Sequence, residues 1–487
     1  MTRSAPAGAL LAAVLLAGCA TVRPEAAADD LRQTLDGRLG ADVVWATGSD
    51  EDEAARAAVD RLLADSLTSD AAVQVALLHN RRLQAAYEDL GVAQAHLVQA
   101  GLLSNPVFGA RALWPLDGGG PPDLGFRVAL DFLDVFFLPL RRRVAQSAYD
   151  EARFRVAGAV LDLAARTRTA YVTAQADAAR LATQARVVAN ARAGYTAGRL
   201  LREAGNVPAV DVLAEQALYE QARLDLVVAE GAAAESRERL VRLMGLSGPR
   251  AALDLTGALP PVPTESDVPF VRAGGGGLAG IVVDGAALER AAVEASLDLE
   301  AARQAVQTAA LRLGVENWES LVPHVEVGGE AEREDGEWEA GPEAELALPL
   351  FDQGQARRAA GRAELRRARA LYEATAVDVR SAARVVAQRL ATARRAALHY
   401  QTTVLPLRAE VSAQTVRQYN AMQTGVFGVL QAQQAEAVAA RAYFDALEAY
   451  WEARADLDLL LAGRLPSLDG PGLAASAGAV GPRDADH

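Results

Sequence analysis

The chain contains the same layout twice. Pro106 and Pro323 stand 217 residues apart, Leu213 and Leu430 are separated by the same interval, and Asp134 and Asp352 by 218. An offset held across such different local contexts implies tandem duplication of one long unit, far beyond the period of solenoid repeats. Each unit reads helix, alternating segment, long helix, short break, helix. Any fold must therefore accommodate two copies of that order.

In the first unit a helical stretch over residues 71–101 closes at Asn105-Pro106, and residues 140–207 contain no proline and predict one long helix. A break at "EAGNVPAVD" precedes a second helix from about Val210 to Leu246. The second unit repeats this with a helix over residues 286–313, a long helix from about Gln355, a break at "MQTGVFG" and a last helix to Gly463. Val379, Ala383, Val386, Leu390, Ala393, Ala397, Tyr400, Val404 and Leu407, spaced alternately by four and three, form a coiled-coil seam. Hydrophobic residues make up 51% of the chain but aromatics only 5%, so alanine fills much of that seam and permits close helix contact. Pro406 lies inside this run and predicts a joint, because it removes one backbone hydrogen bond.

The alternating segments, residues 107–132 and 324–348, read as β-hairpins. Around the first Gly/Pro turn, Phe108, Ala110, Ala112 and Trp114 alternate on one side, and Phe126, Val128, Leu130 and Phe132 on the other, opposite Arg127 and Asp131. In the second, Val325, Val327 and Ala331 alternate with Glu326, Glu330 and Glu332; Trp338, Ala340, Ala344 and Leu346 alternate with Glu339, Glu343 and Glu345. One face is apolar and the other strongly acidic. A soluble edge hairpin would alternate in the same way. The other reading is a transmembrane β-barrel, with the apolar face toward lipid, the acidic face toward a water-filled lumen, and Trp114 and Trp338 at the interfacial girdle. Two hairpins supply only four strands, and a membrane sheet must close, so this reading requires copies of the chain. Three copies would supply about twelve strands, above the minimum of about eight.

The opening "MTRSAPAGALLAAVLLAGCA" has a basic residue, an apolar run and small residues before Cys19, the only cysteine. Residues 1–18 are expected to be a signal peptide. "LAGC" resembles the bacterial lipoprotein lipobox, which makes Cys19 the acylated first residue of the mature chain; Ala20 after it implies sorting to the outer membrane. Residues 19–70 read as a lipid-anchored tether, residues 71–248 as the first repeat, 249–285 as a Pro/Gly-rich connector, 286–465 as the second repeat, and 466–487 as a disordered tail.

A formal charge of −14 and a pI near 5.0 argue against a nucleic-acid partner. No nucleophile elbow or phosphate loop occurs, so no enzyme activity and no cofactor is expected. His79, His96, His324, His399 and His487 are too scattered to make a metal site.

"AGLLSNPVF" before the first hairpin, "LPLFDQGQARR" after the second and "YNAMQTGVFGVLQAQQAEA" at the second break carry a resemblance to the TolC-like outer-membrane efflux proteins, over residues 71–463. The resemblance implies a mainly α fold with β-hairpins that trimerises into a 12-stranded transmembrane β-barrel plus an α-helical periplasmic tunnel. It implies an outer-membrane duct in a Gram-negative bacterium, working in a tripartite efflux system through a periplasmic adaptor protein and an inner-membrane pump.

Gate and docking positions then fall on Gly205, Asn206, Val207, Pro208 and Asp211 in the first turn and on Thr424, Gly425, Val426, Phe427 and Leu430 in the second. Pore-facing positions fall on Arg127, Asp131, Glu326, Glu330, Glu343 and Glu345. The gate carboxylates that some members carry on the second turn are missing here, so Val426 or Phe427 is expected to form an apolar neck that closes by dewetting, with simple packing of the turn as the alternative. The rival readings are a duct for type I protein secretion and a lipid-tethered periplasmic coiled-coil scaffold.

Overall fold

The computed structural model describes residues 22–48, 50–114, 122–255, 257–263, 271–273, 281–319, 325–334, 337–347 and 349–467. The chain is mostly helical. In order come α1 (Pro24–Leu35), α2 (Asp50–Ala64), α3 (Ser69–His79), α4 (Arg81–Ala100), β1 (Val107–Leu113), β2 (Asp123–Asp131), α5 (Asp134–Glu203) and α6 (Ala209–Met244). They are followed by β3 (Val271–Ala273), β4 (Ile281–Val283), α7 (Gly285–Ala295), α8 (Leu297–Glu319), β5 (Val325–Glu334), β6 (Glu337–Leu346), α9 (Gln355–His399), α10 (Leu405–Asn420) and α11 (Val426–Ala462). Cys19, the signal segment and most of the expected tail lie outside the described residues.

Two compact units share these elements, and the long helices contribute residues to both. The first unit holds the four-stranded sheet, ordered β1-β2-β5-β6 and antiparallel throughout. Its helical part buries Ala27, Leu31, Tyr87, Leu90, Val156 and Leu299. Tyr149 donates a 2.8 Å hydrogen bond to Asp30, and Thr308 donates one of 2.9 Å to Ser147. The stretch 19–70, read as a tether, thus contains helices from Pro24 onward: Ala27, Leu31 and Leu35 recur every four residues and give α1 a buried stripe.

The second unit buries Leu67, Val75, Ala76, Tyr171, Leu240, Val241 and Met244 in one cluster. Two of its helices end in the same way. The last helix of each repeat stops at a left-handed glycine: Gly245 after α6, with φ 71°, and Gly463 after α11, with φ 104°. In both cases the glycine and the next residue donate to carbonyls of the final turn. Each glycine also sits beside the break between two consecutive helices. Asn80, between α3 and α4, donates to the Leu243 carbonyl at 2.7 Å while its Oδ1 accepts from the Arg82 and Leu83 amides; Leu297, at the α7–α8 break, donates to the Gly463 carbonyl at 2.7 Å. The helices expected as single stretches over 71–101 and 286–313 are therefore each two helices.

Helix α5 begins at Asp134, six residues before the expected start, and tolerates Pro139 near its N-terminus, where one lost backbone bond is the main cost. At Pro406 the expected joint takes the form of a π turn over Tyr400–Val404, with the Leu405 amide donating to the Tyr400 carbonyl. Of the seam, Val379, Ala383, Val386, Leu390 and Ala397 are buried, whereas Leu407 beyond the π turn is exposed. The connector contributes Leu259 and Val262 to the buried set, and Leu255 bridges to Leu67.

Candidate channel surfaces

The sheet register sorts side chains by face. Phe108 lies across from Val128, Ala110 from Phe126, Phe126 from Ala331, Leu130 from Val327, and Ala331 from Ala340. Apart from Arg333, which lies across from Leu124 and Trp338 near the strand ends, this face is apolar, and it is open: Phe126 is 40%, Val128 48% and Trp338 53% exposed. Phe108 stacks on Phe126 at 6.2 Å and Phe126 on Trp338 at 5.9 Å, a ladder that crosses β1, β2 and β6.

The other face carries Asp123, Asp131, Glu326, Glu330, Glu332, Glu337, Glu339, Glu343 and Glu345 against Arg111 and Arg127. Arg127 reaches Glu343 at 2.9 Å, Glu326 at 3.0 Å and Glu345 at 3.2 Å, and Arg111 pairs with Glu332. The six residues singled out as pore-facing therefore share one face. Their common direction was legible from period-two alternation; the Arg127 hub was not, because it depends on the β2–β5 pairing. Sequence reading also left Arg111, the second basic residue of this face, out of the set.

The two breaks are variants of one turn. Between α5 and α6, Gly205 has φ 76°, and Asn206 donates back to the Leu201 carbonyl at 2.8 Å; Pro208 starts the next helix and accepts from the Asp211 amide. At the corresponding position, 217 residues on, Met422 adopts φ 60°, and Gln423 donates to the Gln418 carbonyl at 2.8 Å. Gly425 then precedes α11.

Phe427 and Leu430 project from the start of α11 onto α5. A methyl group added at Gly194 would meet Leu430 and the Glu215 carboxylate, and one at Gly198 would touch the Phe427 ring. Glycines four residues apart thus make a notch that seats both apolar side chains. Their first-repeat counterparts, Val210 and Leu213, are 66% and 63% exposed. Around this level α6 packs on α5 through the Tyr195–Tyr219 stack, α5 meets α11 through Arg180 with Asp445 and Glu448, and α11 packs against α10. The helical layer of one chain runs α6-α5-α11-α10, with Leu213 exposed on α6 and Leu407 and Val411 exposed on α10.

Comparison with known proteins adds to this geometry. Residues 72–246 match the model of the outer membrane efflux protein family. The chain carries an outer membrane efflux protein domain. Its fold is similar to that of a membrane protein from Pseudomonas aeruginosa, at TM-score 0.62 and 20% identity, over 83% of this chain and 93% of that one. CusC, from a study of folding and transmembrane channel formation, gives 0.62 at 16% identity, over 82% and 92%. The Campylobacter jejuni CmeC outer membrane channel gives 0.63 at 14%, over 82% and 87%. No curated protein matches.

Among the described residues no helix is long and apolar enough to cross a membrane, and no cluster of histidine, cysteine or carboxylate side chains could hold a metal ion. An acidic ladder that sequence reading passed over lies on α11, beyond the efflux-protein match: Glu448, Glu452 and Asp456 are spaced by four. Glu448 pairs with Arg180 at 2.5 Å, and Asp456 stands 3.9 Å from Arg389. Burial first, then the charges of Glu448 and Asp456, push the Glu452 carboxyl up to about 7; burial pushes Asp456 up to about 6. Because the folded value exceeds the unfolded one of about 4.3, the Glu452 contribution is fully present below that value and is lost as pH rises through about 7. Glu452→Gln is expected to stabilise the protein by about 1 kcal/mol at pH 8, after allowance for solvent screening, and to flatten the fall in Tm between pH 5 and 8.

Proposed function

We propose that the chain is a lipid-anchored outer-membrane channel, a passive exit duct for small molecules or metal ions in a tripartite efflux system. The observation that carries this is the sheet: an exposed apolar face, an acidic opposite face, and two unpaired edge strands, β1 and β6. Strand edges cannot be left unsatisfied in hydrocarbon. β1 and β6 run in opposite directions, so β6 of one copy can pair antiparallel with β1 of the next. Closure after three copies gives an even-numbered barrel of about twelve strands.

The helical layer supports the same closure. The α11-on-α5 contact of one chain corresponds, under the internal duplication, to α6 on α10 of a neighbouring copy. That arrangement would cover Val210 and Leu213 with the face that bears Val411. In this reading residues 71–248 and 286–465 are the two channel repeats, Cys19 carries the lipid, and the long helices form the periplasmic tunnel. Arg127, Asp131, Glu326, Glu330, Glu343 and Glu345 face the lumen.

The turns Gly205–Asp211 and Thr424–Leu430 serve as gate and as docking surface for a periplasmic adaptor, which connects to the inner-membrane pump. Seating of Phe427 against Gly198 favours a gate held by packing of the second turn on α5 over a free apolar plug. Planar-bilayer recordings of the detergent-purified, acylated protein under a salt gradient test the proposal. Discrete, cation-preferring openings are expected, with more frequent opening in Phe427→Ala. Silence of both proteins, together with monomeric behaviour in mild detergent, would favour the tethered scaffold.

A further inference from the structure

Beside the glycine notch lies a cleft of about 420 Å³ walled by α5, α6 and α11. Near the second turn its walls present the apolar side chains of Val187, Leu218, Phe427 and Leu430, with Asn190 and Gln431 beside them. Among them stands Glu215, half-buried and lying over Gly194, with no hydrogen-bond or ion-pair partner among the described residues. Desolvation raises its pKa, as expected for a carboxylate set against hydrocarbon without a countercharge. The charges elsewhere in the cleft are different. Arg180 is matched by Asp177 at 2.8 Å, Asp445 at 2.7 Å and Glu448 at 2.5 Å, while Asp225 accepts from Gln221 at 2.8 Å and stands with Arg441 toward the other end of the cleft.

We propose that this cleft is a binding site for amphipathic organic cations, with the cationic group at Glu215 and the apolar body against Val187, Leu218, Phe427 and Leu430. A half-buried carboxylate without a partner gains most from a cation that cannot be replaced by water, and flat apolar walls reward a bulky hydrophobic substituent. A neutral molecule of the same shape would leave the carboxylate stranded. An anion would be repelled. Because Phe427 and Leu430 form one wall, an occupant would hold the second turn on α5. Binding itself does not depend on whether the protein conducts.

Tetraphenylphosphonium and tetraphenylborate, nearly equal in size and opposite in charge, are suitable probes by equilibrium dialysis against the full-length protein at fixed detergent concentration. Saturable binding of the cation alone is expected. It should weaken at least tenfold in Glu215→Gln, recover in part in Glu215→Asp, and vanish in Leu218→Trp, which fills the cleft from a half-exposed position. It should also weaken on acidification as Glu215 takes up its proton. No saturable cation binding, equal binding of the borate, or binding unchanged in both Glu215→Gln and Leu218→Trp would overturn the proposal. The first result is also what a side chain of a second copy or of another protein filling the cleft would produce.

Discussion

Val128→Arg is expected to prevent assembly of the channel in the outer membrane. Val128 lies near the middle of β2, across from Phe108 on β1 and Gly329 on β5, and is flanked along its own strand by Phe126 and Leu130 on the same face. Among the described residues nothing covers Val128 and its neighbours on this face, which are exposed. If it meets hydrocarbon, a guanidinium there costs about 2–4 kcal/mol per chain near the bilayer midplane, and a closed trimer would carry that cost three times. Heat-modifiable oligomer in the membrane fraction should fall sharply in Val128→Arg. Glu339→Arg, on the acidic face and within reach of water in either reading, should assemble as the wild type does. Equal assembly of both variants would show that the apolar face does not contact lipid.

The strands were legible because each segment alternates with period two and because the second copy confirms the first; neither hairpin would have been as secure alone. Helix positions were legible for the same reason, since Pro106, Gly205, Pro208 and the "MQTGVFG" break punctuate the pattern. The internal breaks at Asn80 and Ser296 were missed. Neither interrupts the apolar periodicity, and only the capping chemistry of Asn80, which accepts from Arg82 and Leu83, distinguishes it from a mid-helix residue. Residues 24–64 looked like a tether because alanine carries their hydrophobicity, and a buried alanine stripe is weak evidence until its partner is known. The seating of Phe427 and Leu430 was also out of reach. It depends on Gly194 and Gly198, more than two hundred residues away, and on the pairing of α5 with α11 that no local pattern encodes. The Glu452 ladder shares that limit: a carboxylate every fourth residue is an ordinary solvated stripe until another helix covers it.

Substitution of alanine at the glycines that end helices should destabilise in the order Gly463, then Gly245, then Gly205. All three have positive φ, at 104°, 71° and 76°, so each replacement carries a backbone strain of order 1 kcal/mol or more. What separates them is the space around the new methyl group. At Gly205 it meets nothing, so strain is the whole effect. At Gly245 it would press on the His79 carbonyl oxygen at 3.0 Å and the Asn80 Cα at 3.2 Å, which calls for a small backbone shift at the α3–α4 break. At Gly463 it would overlap the Ala295 carbonyl oxygen and crowd the Arg38 guanidinium. That oxygen accepts from Arg38 at 2.6 Å, and the same guanidinium nitrogen donates to the Ala462 carbonyl at 2.8 Å. One methyl group therefore disturbs the ends of α7 and α11 and the arginine that caps both. Strain and overpacking together set the expected loss for Gly463→Ala at about 3–4 kcal/mol. Thermal unfolding followed by circular dichroism on the purified variants should reproduce the order. A Gly463→Ala protein that melts with Gly205→Ala would mean that the α7–α8 break moves freely, and that the segment bearing Arg38 is not locked onto the ends of α7 and α11 as its hydrogen bonds require.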